Sequence, residues 1–159
     1  MEDYNKIIES LGVKFVKAKS IKILKPVTVT NLYEVENKLL LVNKGEILVG
    51  EEKLLVKEGE FAFIPGGKSH QITYGRGSQI EKVTNDNFIT NKSEYFNSIN
   101  YDELLSEGGD SFSYISFEAK VFDSVNFFSS LDIPPFNFTN STIKSIHDGI
   151  FRETRMDEP

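Results

Sequence analysis

The chain has 159 residues, a formal net charge of −6 and a hydrophobic fraction of 39%. This length suits one folded domain with a sizeable core. The acidic balance argues against this domain gripping a nucleic-acid backbone alone, because such affinity comes mainly from Lys and Arg. The absence of cysteine excludes disulfides, thiolate metal sites and cysteine nucleophiles. We see neither a membrane-spanning apolar run nor a signal peptide, and so expect a cytoplasmic protein.

The first predicted element is a short amphipathic helix over Asp3 to Leu11, with Gly12 as its C-terminal cap. Brief apolar runs follow from Val13 to about Val83, separated by Gly, Asn, Pro or charged residues. Turn signals about every 8–12 residues are typical of an antiparallel sandwich or barrel. We interpret five lysines near the start of this region as the solvent-facing side of early strands: Lys14, Lys17, Lys19, Lys22 and Lys25.

Residues 85–110 are polar and irregular, which predicts an excursion outside the barrel. Within it, Tyr101 to Leu105 is a weak helical candidate. Phe112 to Phe122 then alternates along the chain as a strand does, which predicts that the sheet is completed late.

The last predicted elements follow this strand. Ser124 to Leu131 is a candidate short helix stopped by Pro134 and Pro135, and Phe136 to Phe138 is expected to be extended. A second amphipathic helix is predicted over Ser141 to Met156, with Asn140 or Ser141 as N-cap. Its apolar stripe must pack on the barrel or on a partner, and it consists of Ile143, Ile146, Ile150 and Phe151.

The most informative motif is the segment GEFAFIPGGKSH, from Gly59 to His70. Gly59 predicts a tight turn with positive φ, Pro65 ends a strand, and His70 begins the next strand pointing inward. The spacing of Gly59, Pro65, Gly67 and His70 resembles the second conserved motif of the cupin superfamily. That resemblance implies a mainly β fold, a double-stranded β-helix (jelly-roll) barrel of short antiparallel strands, with a short N-terminal helix and C-terminal helices.

The first cupin motif supplies two more histidines and a glutamate in metal-binding members. Gly45 matches its closing glycine, which puts Lys38 at the position of the glutamate and residues 31–34 at those of the histidines. A catalytic metal needs at least three well-placed protein ligands, and this chain has two histidines. We therefore predict no metal and no other cofactor, with His70, Glu34 and Glu36 as a poor alternative site.

The same spacing predicts which side chains face the barrel interior. They form an apolar pocket around one histidine, and barrel mouths of this kind are frequent small-ligand sites. A barrel this small is interpreted equally well as a filled, closed core. The ligand-pocket candidates are Glu34, Leu40, Val42, Phe61, Phe63, His70 and Ile72.

After the predicted barrel come Asp123, the segment LDIPP from Leu131 to Pro135, and a helix with Glu153 near its end. This order is similar to that in the sensor domain of AraC-type bacterial transcription regulators. The resemblance implies a domain that binds a small-molecule effector and forms a homodimer through the helix after the barrel. DNA would be bound only by C-terminal helix-turn-helix units, for which we find no room after Phe151. The dimer-interface candidates are Ile143, Ile146, Ile150 and Phe151.

These expectations divide the chain into a barrel over residues 1–123, including the excursion at 85–110, and a C-terminal helical extension over 124–159. Two other functional classes remain open. One is a metal-dependent cupin enzyme, an isomerase or dioxygenase of small molecules, and the other is a stand-alone small-ligand-binding cupin.

Overall fold

The structure is a computed structural model that describes residues 11–104, 108–121, 125–126 and 134–156. The predicted N-terminal helix falls on residues outside these ranges, except for Leu11, which begins the first strand. Gly12 is not a helix cap, because it lies within this strand and pairs with Lys120. Lys14, Lys17 and Lys19 on the same strand are exposed, which confirms their predicted solvent-facing position.

The described part of the chain is mainly β. Its strands are β1 (Leu11–Ile23), β2 (Val27–Glu34), β3 (Asn37–Lys44), β4 (Glu46–Val49), β5 (Leu54–Lys57), β6 (Phe61–Ile64), β7 (Lys68–Tyr74), β8 (Glu81–Val83), β9 (Phe96–Ser98), β10 (Ser111–Val121), β11 (Val125–Asn126) and β12 (Phe136–Phe138). Its helices are α1 (Asn85–Thr90), α2 (Lys92–Tyr95) and α3 (Ser141–Met156), with a 3-10 turn at Tyr101–Glu103. Within the described ranges, no helix is long and apolar enough to cross a membrane.

Strand pairing is nested around the β4–β5 hairpin. Moving outward, β3 pairs with β6, β2 with β7 and β1 with β10, all antiparallel. The nested pairs alternate between two sheets. Sheet A has the order β12-β6-β3-β10-β1-β9, with β11 also on β10, and sheet B has the order β5-β4-β7-β2-β8. The one parallel pair described joins β2 and β8.

An apolar core lies between the two sheets. Leu40 and Val42 reach it from sheet A, and Val29 and Ile72 reach it from sheet B. Successive side chains of a strand point to opposite faces, so every second residue of these strands enters the core. Complete burial of such a side chain stabilises the fold by about 1.5–3 kcal/mol.

Within residues 85–110, the described helices α1 and α2 contribute buried side chains to this core, so they do not lie outside it as predicted. Thr84 caps α1 by accepting a hydrogen bond from the Asn87 backbone N–H at 3.3 Å. Phe88 of α1 stacks on Tyr74 with ring centroids 6.2 Å apart, and Tyr95 of α2 is also part of the buried core. The helical candidate after these elements is a single 3-10 turn. A few aromatic side chains therefore hold this segment against the core, although most of its residues are polar.

Strand β10 confirms the predicted alternation in the second half of the chain. Phe112 and Tyr114 face the core, whereas Ile115 and Phe117 line a groove on the opposite face of sheet A. The short helix predicted over 124–131 lies largely outside the described residues, and Val125–Asn126 within it form β11.

The last two elements extend sheet A at one edge and pack on its outer face. β12 confirms the extended segment predicted after the prolines, and it pairs with β6. α3 occupies the predicted span, and the Asn140 side chain accepts a hydrogen bond from the Ile143 N–H at 3.0 Å, as an N-cap does. The Tyr101 hydroxyl donates to the Asp148 carboxylate and so ties α3 to the 3-10 turn.

Candidate functional site

The Gly59 to His70 motif forms two turns around β6. Gly59 has a φ of 84°, and the N–H of the next residue donates to the Lys57 carbonyl at 2.9 Å, which confirms the predicted tight turn. Gly66 lies in the β6–β7 turn, where a Cβ would come within 2.3 Å of the Val35 carbonyl oxygen. Its N–H donates to the buried Asn37 side chain at 2.9 Å. The β6–β7 turn is therefore seated directly on the β2–β3 turn.

This seating positions His70 at the mouth of the space between the sheets. His70 pairs with Leu32 of β2, and its Nε2 donates to the Pro65 carbonyl at 3.0 Å. Burial lowers the pKa of His70 below its ordinary value. The imidazole is therefore neutral at neutral pH, with Nδ1 as its acceptor atom.

Lys38 supplies a buried positive charge beside this histidine. Its side chain is 8% exposed and forms an ion pair with Glu34, which is 28% exposed. The ammonium also lies 4.5 Å from the centroid of the Tyr114 ring, within cation–π range. Lys38 thus places an ammonium at the position where the cupin resemblance implies a metal-binding carboxylate. This ammonium is already paired with the carboxylate of Glu34.

We call the space around His70 the interior pocket. Its free volume is about 10 Å³, which is room for about one water molecule. As it stands, the pocket is a filled end of the core, which favours the closed-core interpretation. Its lining residues are Leu32, Glu34, Glu36, Lys38, Ile64, Pro65, Lys68, His70 and Ile72.

The structure brings three of the seven predicted pocket residues to this site. Glu34, His70 and Ile72 line the interior pocket, whereas Leu40 and Val42 are fully buried in the core and do not border it. The predicted inward position of Phe61 and Phe63 is wrong, because both side chains lie on the face of sheet A that points away from the core.

The orientation of β6 has a simple physical cause. Ala62 and Ile64 belong to the core, so the alternating Phe61 and Phe63 emerge on the outer face of sheet A. There Phe61 stacks on Phe138, and Phe63 packs on a second phenylalanine of β12, each with ring centroids 5.4 Å apart. All four residues of β6 are buried, so apolar character does not identify the face of this strand that points inward.

The alternative metal ligands share a pocket but do not form a metal site. His70, Glu34 and Glu36 all line the interior pocket. In the described part of the chain, however, no three His, Cys, Asp or Glu side chains are grouped so that they could hold a metal ion. The ammonium of Lys38 on Glu34 opposes a second cation at the same carboxylate.

A second concave surface, which we call the outer groove, lies between α3 and the outer face of sheet A. Its volume is about 360 Å³. Three side chains at its rim are largely exposed, namely Val13 at 67%, Phe15 at 48% and Ile146 at 58%. The described residues that line it are Val13, Phe15, Leu39, Ile115, Phe117, Ile143, Ile146, His147 and Ile150.

The four residues of α3 that were predicted to form a dimer interface do not share one environment. Ile143, Ile146 and Ile150 line the outer groove, whereas Phe151 is buried and stacks on Tyr101 with ring centroids 4.9 Å apart. One part of the stripe therefore fixes α3 to the domain, and the other part borders open space.

His147 on α3 is not among the residues predicted for any site. It is 1% exposed, and its ring packs against Phe61 and Phe151 with centroids 5.5 Å and 4.7 Å away. Burial lowers its pKa to about 4, so the ring is neutral. Neither ring nitrogen has a hydrogen-bond partner among the described residues, which costs about 1–3 kcal/mol for a buried polar group. Its position four residues after Ile143 and four before Phe151 places it on the apolar stripe, and that spacing was a readable signal.

Comparisons with models of known protein families, with curated proteins and with solved structures find no match to this chain.

Proposed function

We propose that this protein is the effector-binding and dimerisation domain of an AraC-type transcription regulator, built on a cupin-type double-stranded β-helix. The nested strand pairing supports the fold proposal, because nested pairs that alternate between two sheets are the order a jelly roll requires. The turn geometry at Gly59 and the inward placement of His70 are consistent with the cupin motif.

The observation that carries the proposal is the exposed apolar rim of the outer groove. Val13, Phe15 and Ile146 belong to β1 and α3, yet they border the same concave surface. Exposed apolar side chains grouped in this way mark interaction sites more often than isolated ones do. The resemblance to AraC-type domains makes a second copy of this chain the partner, meeting its own α3 across a two-fold axis.

The residues of the interior pocket argue against metal catalysis. Lys38 holds Glu34 in an ion pair, and the described donor set around His70 does not fit a metal ion. Elemental analysis of the purified protein tests this directly. A stoichiometric metal that is lost in His70→Ala would favour the enzyme alternative.

Dimerisation is tested by Ile146→Asp, with Ile89→Asp as the matched control. Ile146 on α3 and Ile89 on α1 are 58% and 59% exposed, so each substitution adds a charge at an equally accessible position. We expect a dimer in the wild type, at least about tenfold weaker association in Ile146→Asp, equivalent to about 1.4 kcal/mol, and no change in Ile89→Asp. Sedimentation equilibrium measures all three. A wild-type monomer, or equal association of the two variants, would contradict the proposal.

A further inference from the structure

We propose that four lysines, three on the inner face of sheet A and one on α2, bind a small organic molecule with two or more carboxylate or phosphate groups. We call them the lysine cluster, and they are Lys17, Lys19, Lys38 and Lys92. The inference rests on the proposed function only in giving its effector a chemical class. The proposed dimer contact uses side chains on the opposite face of β1, so each proposal can fail without the other.

A bulge in β1 turns two of these lysines to the inner face. The register of β1 against β10 shifts between Phe15, which lines the outer groove, and Lys17. After the shift, Lys19 pairs with the core residue Tyr114, so Lys17 also points to the inner face. Without the extra residue, both lysines would share the outer face with Phe15. Bulges that re-aim side chains in this way are frequent beside functional sites.

Lys38 and Lys92 bring two more ammonium groups to the same region. Ser116 of β10 pairs with Lys17 on one side and with Lys38 on the other. These two lysines are therefore separated by two strand spacings, about 10 Å. Lys92 is the first residue of α2. Partial burial lowers its pKa below the ordinary value, and the positive charges of the other three members of the cluster lower it further.

The positive charge of the cluster is only partly neutralised. Glu34 forms an ion pair with Lys38, and its charge also acts to raise the pKa of Lys92. The ion pairs found among the described residues include none with Lys17, Lys19 or Lys92. These three lysines are exposed, so a ligand can reach them from solvent. Four ammonium groups thus face one carboxylate, in a chain whose net charge is −6.

This distribution of charge sets the class of ligand. Neighbouring ammonium groups repel one another, and an anion between them relieves that repulsion. One contact between an exposed ammonium and a carboxylate contributes little, so several negative charges must be held together. Glu118, the next acidic residue on this face of β10, lies 3.8 Å from Lys120 and does not fill that role. A nucleic-acid backbone does not suit the site, because the chain as a whole is acidic.

The test uses citrate, which carries three carboxylates, as the probe and acetate, which carries one, as its control. Isothermal titration calorimetry of the full chain at low ionic strength gives both affinities. We expect citrate to bind at least about tenfold more tightly than acetate, because it engages several lysines together. Its affinity should fall as salt is added, since exposed charges are screened.

A pair of double variants with the same net charge locates the site. The first combines Lys17→Gln with Lys92→Gln and should weaken citrate binding at least about tenfold. The second combines Lys53→Gln with Lys144→Gln, two exposed lysines outside the cluster, and should leave the affinity unchanged. Urea denaturation without citrate should show the first variant to be at least as stable as wild type, because each substitution removes a charge that its neighbours repel.

A labelling measurement tests the position without any substitution. Acetic anhydride acetylates accessible lysines, and mass spectrometry of the digested chain gives the rate at each position. Citrate should slow the acetylation of Lys92 and leave that of Lys144 unchanged.

The inference would be overturned by no binding of citrate, by equal affinities for citrate and acetate, by equal citrate affinities of the two double variants, or by an unprotected Lys92 in the citrate complex. A dimer that binds no citrate would keep the proposed function and remove this site. A monomer that binds citrate through the lysine cluster would do the reverse.

Discussion

The interior pocket and the outer groove are each lined by one of the two histidines of the chain. The surroundings and the hydrogen bonding of the two rings differ. His70 is half-buried among charged side chains, and its Nε2 has a backbone partner. His147 is buried among apolar side chains, and neither nitrogen has a partner among the described residues. The free volumes are about 10 Å³ and about 360 Å³. The histidine of the Gly59 to His70 motif therefore has a hydrogen-bond partner, whereas the histidine outside any motif is buried without one among the described residues.

The largest expected effect tests how closely the β6–β7 turn, next to the interior pocket, is seated on the β2–β3 turn. In Gly66→Ala the new Cβ would lie 2.3 Å from the Val35 carbonyl oxygen and 2.4 Å from that of Glu36. Backbone must move to relieve this overlap, so we expect a loss of about 3 kcal/mol or more in the free energy of unfolding. Urea denaturation measures it.

Two other glycines are matched controls for this change. Gly59→Ala meets no atom within 4 Å but requires a φ of 84°, which should cost about 1–2 kcal/mol. Gly149→Ala on α3 also meets no atom within 4 Å, and it should stabilise the helix by up to about 1 kcal/mol. Equal losses for Gly66→Ala and Gly59→Ala would show that the β6–β7 turn is not closely seated.

The next prediction concerns how the free energy of unfolding depends on pH, and which of the two histidines causes that dependence. Burial lowers the pKa of His147 to about 4 from an ordinary value of 6.5, so the unfolded chain takes up a proton at higher pH than the folded one. The stability contributed by the neutral ring is complete above about pH 6.5 and is lost as the pH falls towards 4, by roughly 3 kcal/mol in total.

His147→Phe should therefore lose most of this acid-side dependence, as measured by urea denaturation at about pH 7.5 and pH 4.5. His70→Gln should keep most of it, because His70 is less buried, although burial lowers its pKa in the same direction. An unchanged pH dependence in His147→Phe would contradict the assigned environment of that ring.

A smaller effect concerns the ion pair of the interior pocket. Glu34→Gln leaves the buried Lys38 ammonium without its carboxylate, whereas Lys38→Met leaves a carboxylate that is 28% exposed to water. We expect Glu34→Gln to cost about 1–3 kcal/mol and Lys38→Met to cost less, because an unpaired charge is more costly the more deeply it is buried. Thermal unfolding of both variants gives the order, and the reverse order would show that the ammonium is hydrated.

Much of the fold was predictable because its signals are local. Short apolar runs between turn residues predicted a mainly β chain, and the spacing of Gly59 predicted its turn. The span of α3 followed from its apolar stripe and from Asn140 as N-cap. The core role of residues 85–110 was not predictable in this way, because it depends on Phe88 and Tyr95 reaching strands that are distant in sequence.

The site was less predictable for a physical reason. Alternation along β6 fixes that Phe61 and Phe63 share a face, but it does not say which face is inward when both are covered. The outer groove depends on where α3 docks, a long-range property that spacing along the chain does not contain. The spacing of His147 places it on the apolar stripe of α3, but its contact with Phe61 on a distant strand is a long-range property.

The nested strand pairing also sets an order of assembly. The β4–β5 hairpin closes a short loop, whereas pairing Leu11 with Val121 at the outer end of β1 and β10 joins the two segments that flank β2 to β9 in the sequence. Longer loop closures cost more entropy and slow folding. We therefore expect strand pairing to begin at β4–β5 and to proceed outward. β1 can pair with β10 only after residue 111 and those that follow it have been synthesised. During that interval β1 presents Val13 and Phe15 without a neighbouring strand, so early aggregation of nascent chains would concentrate there.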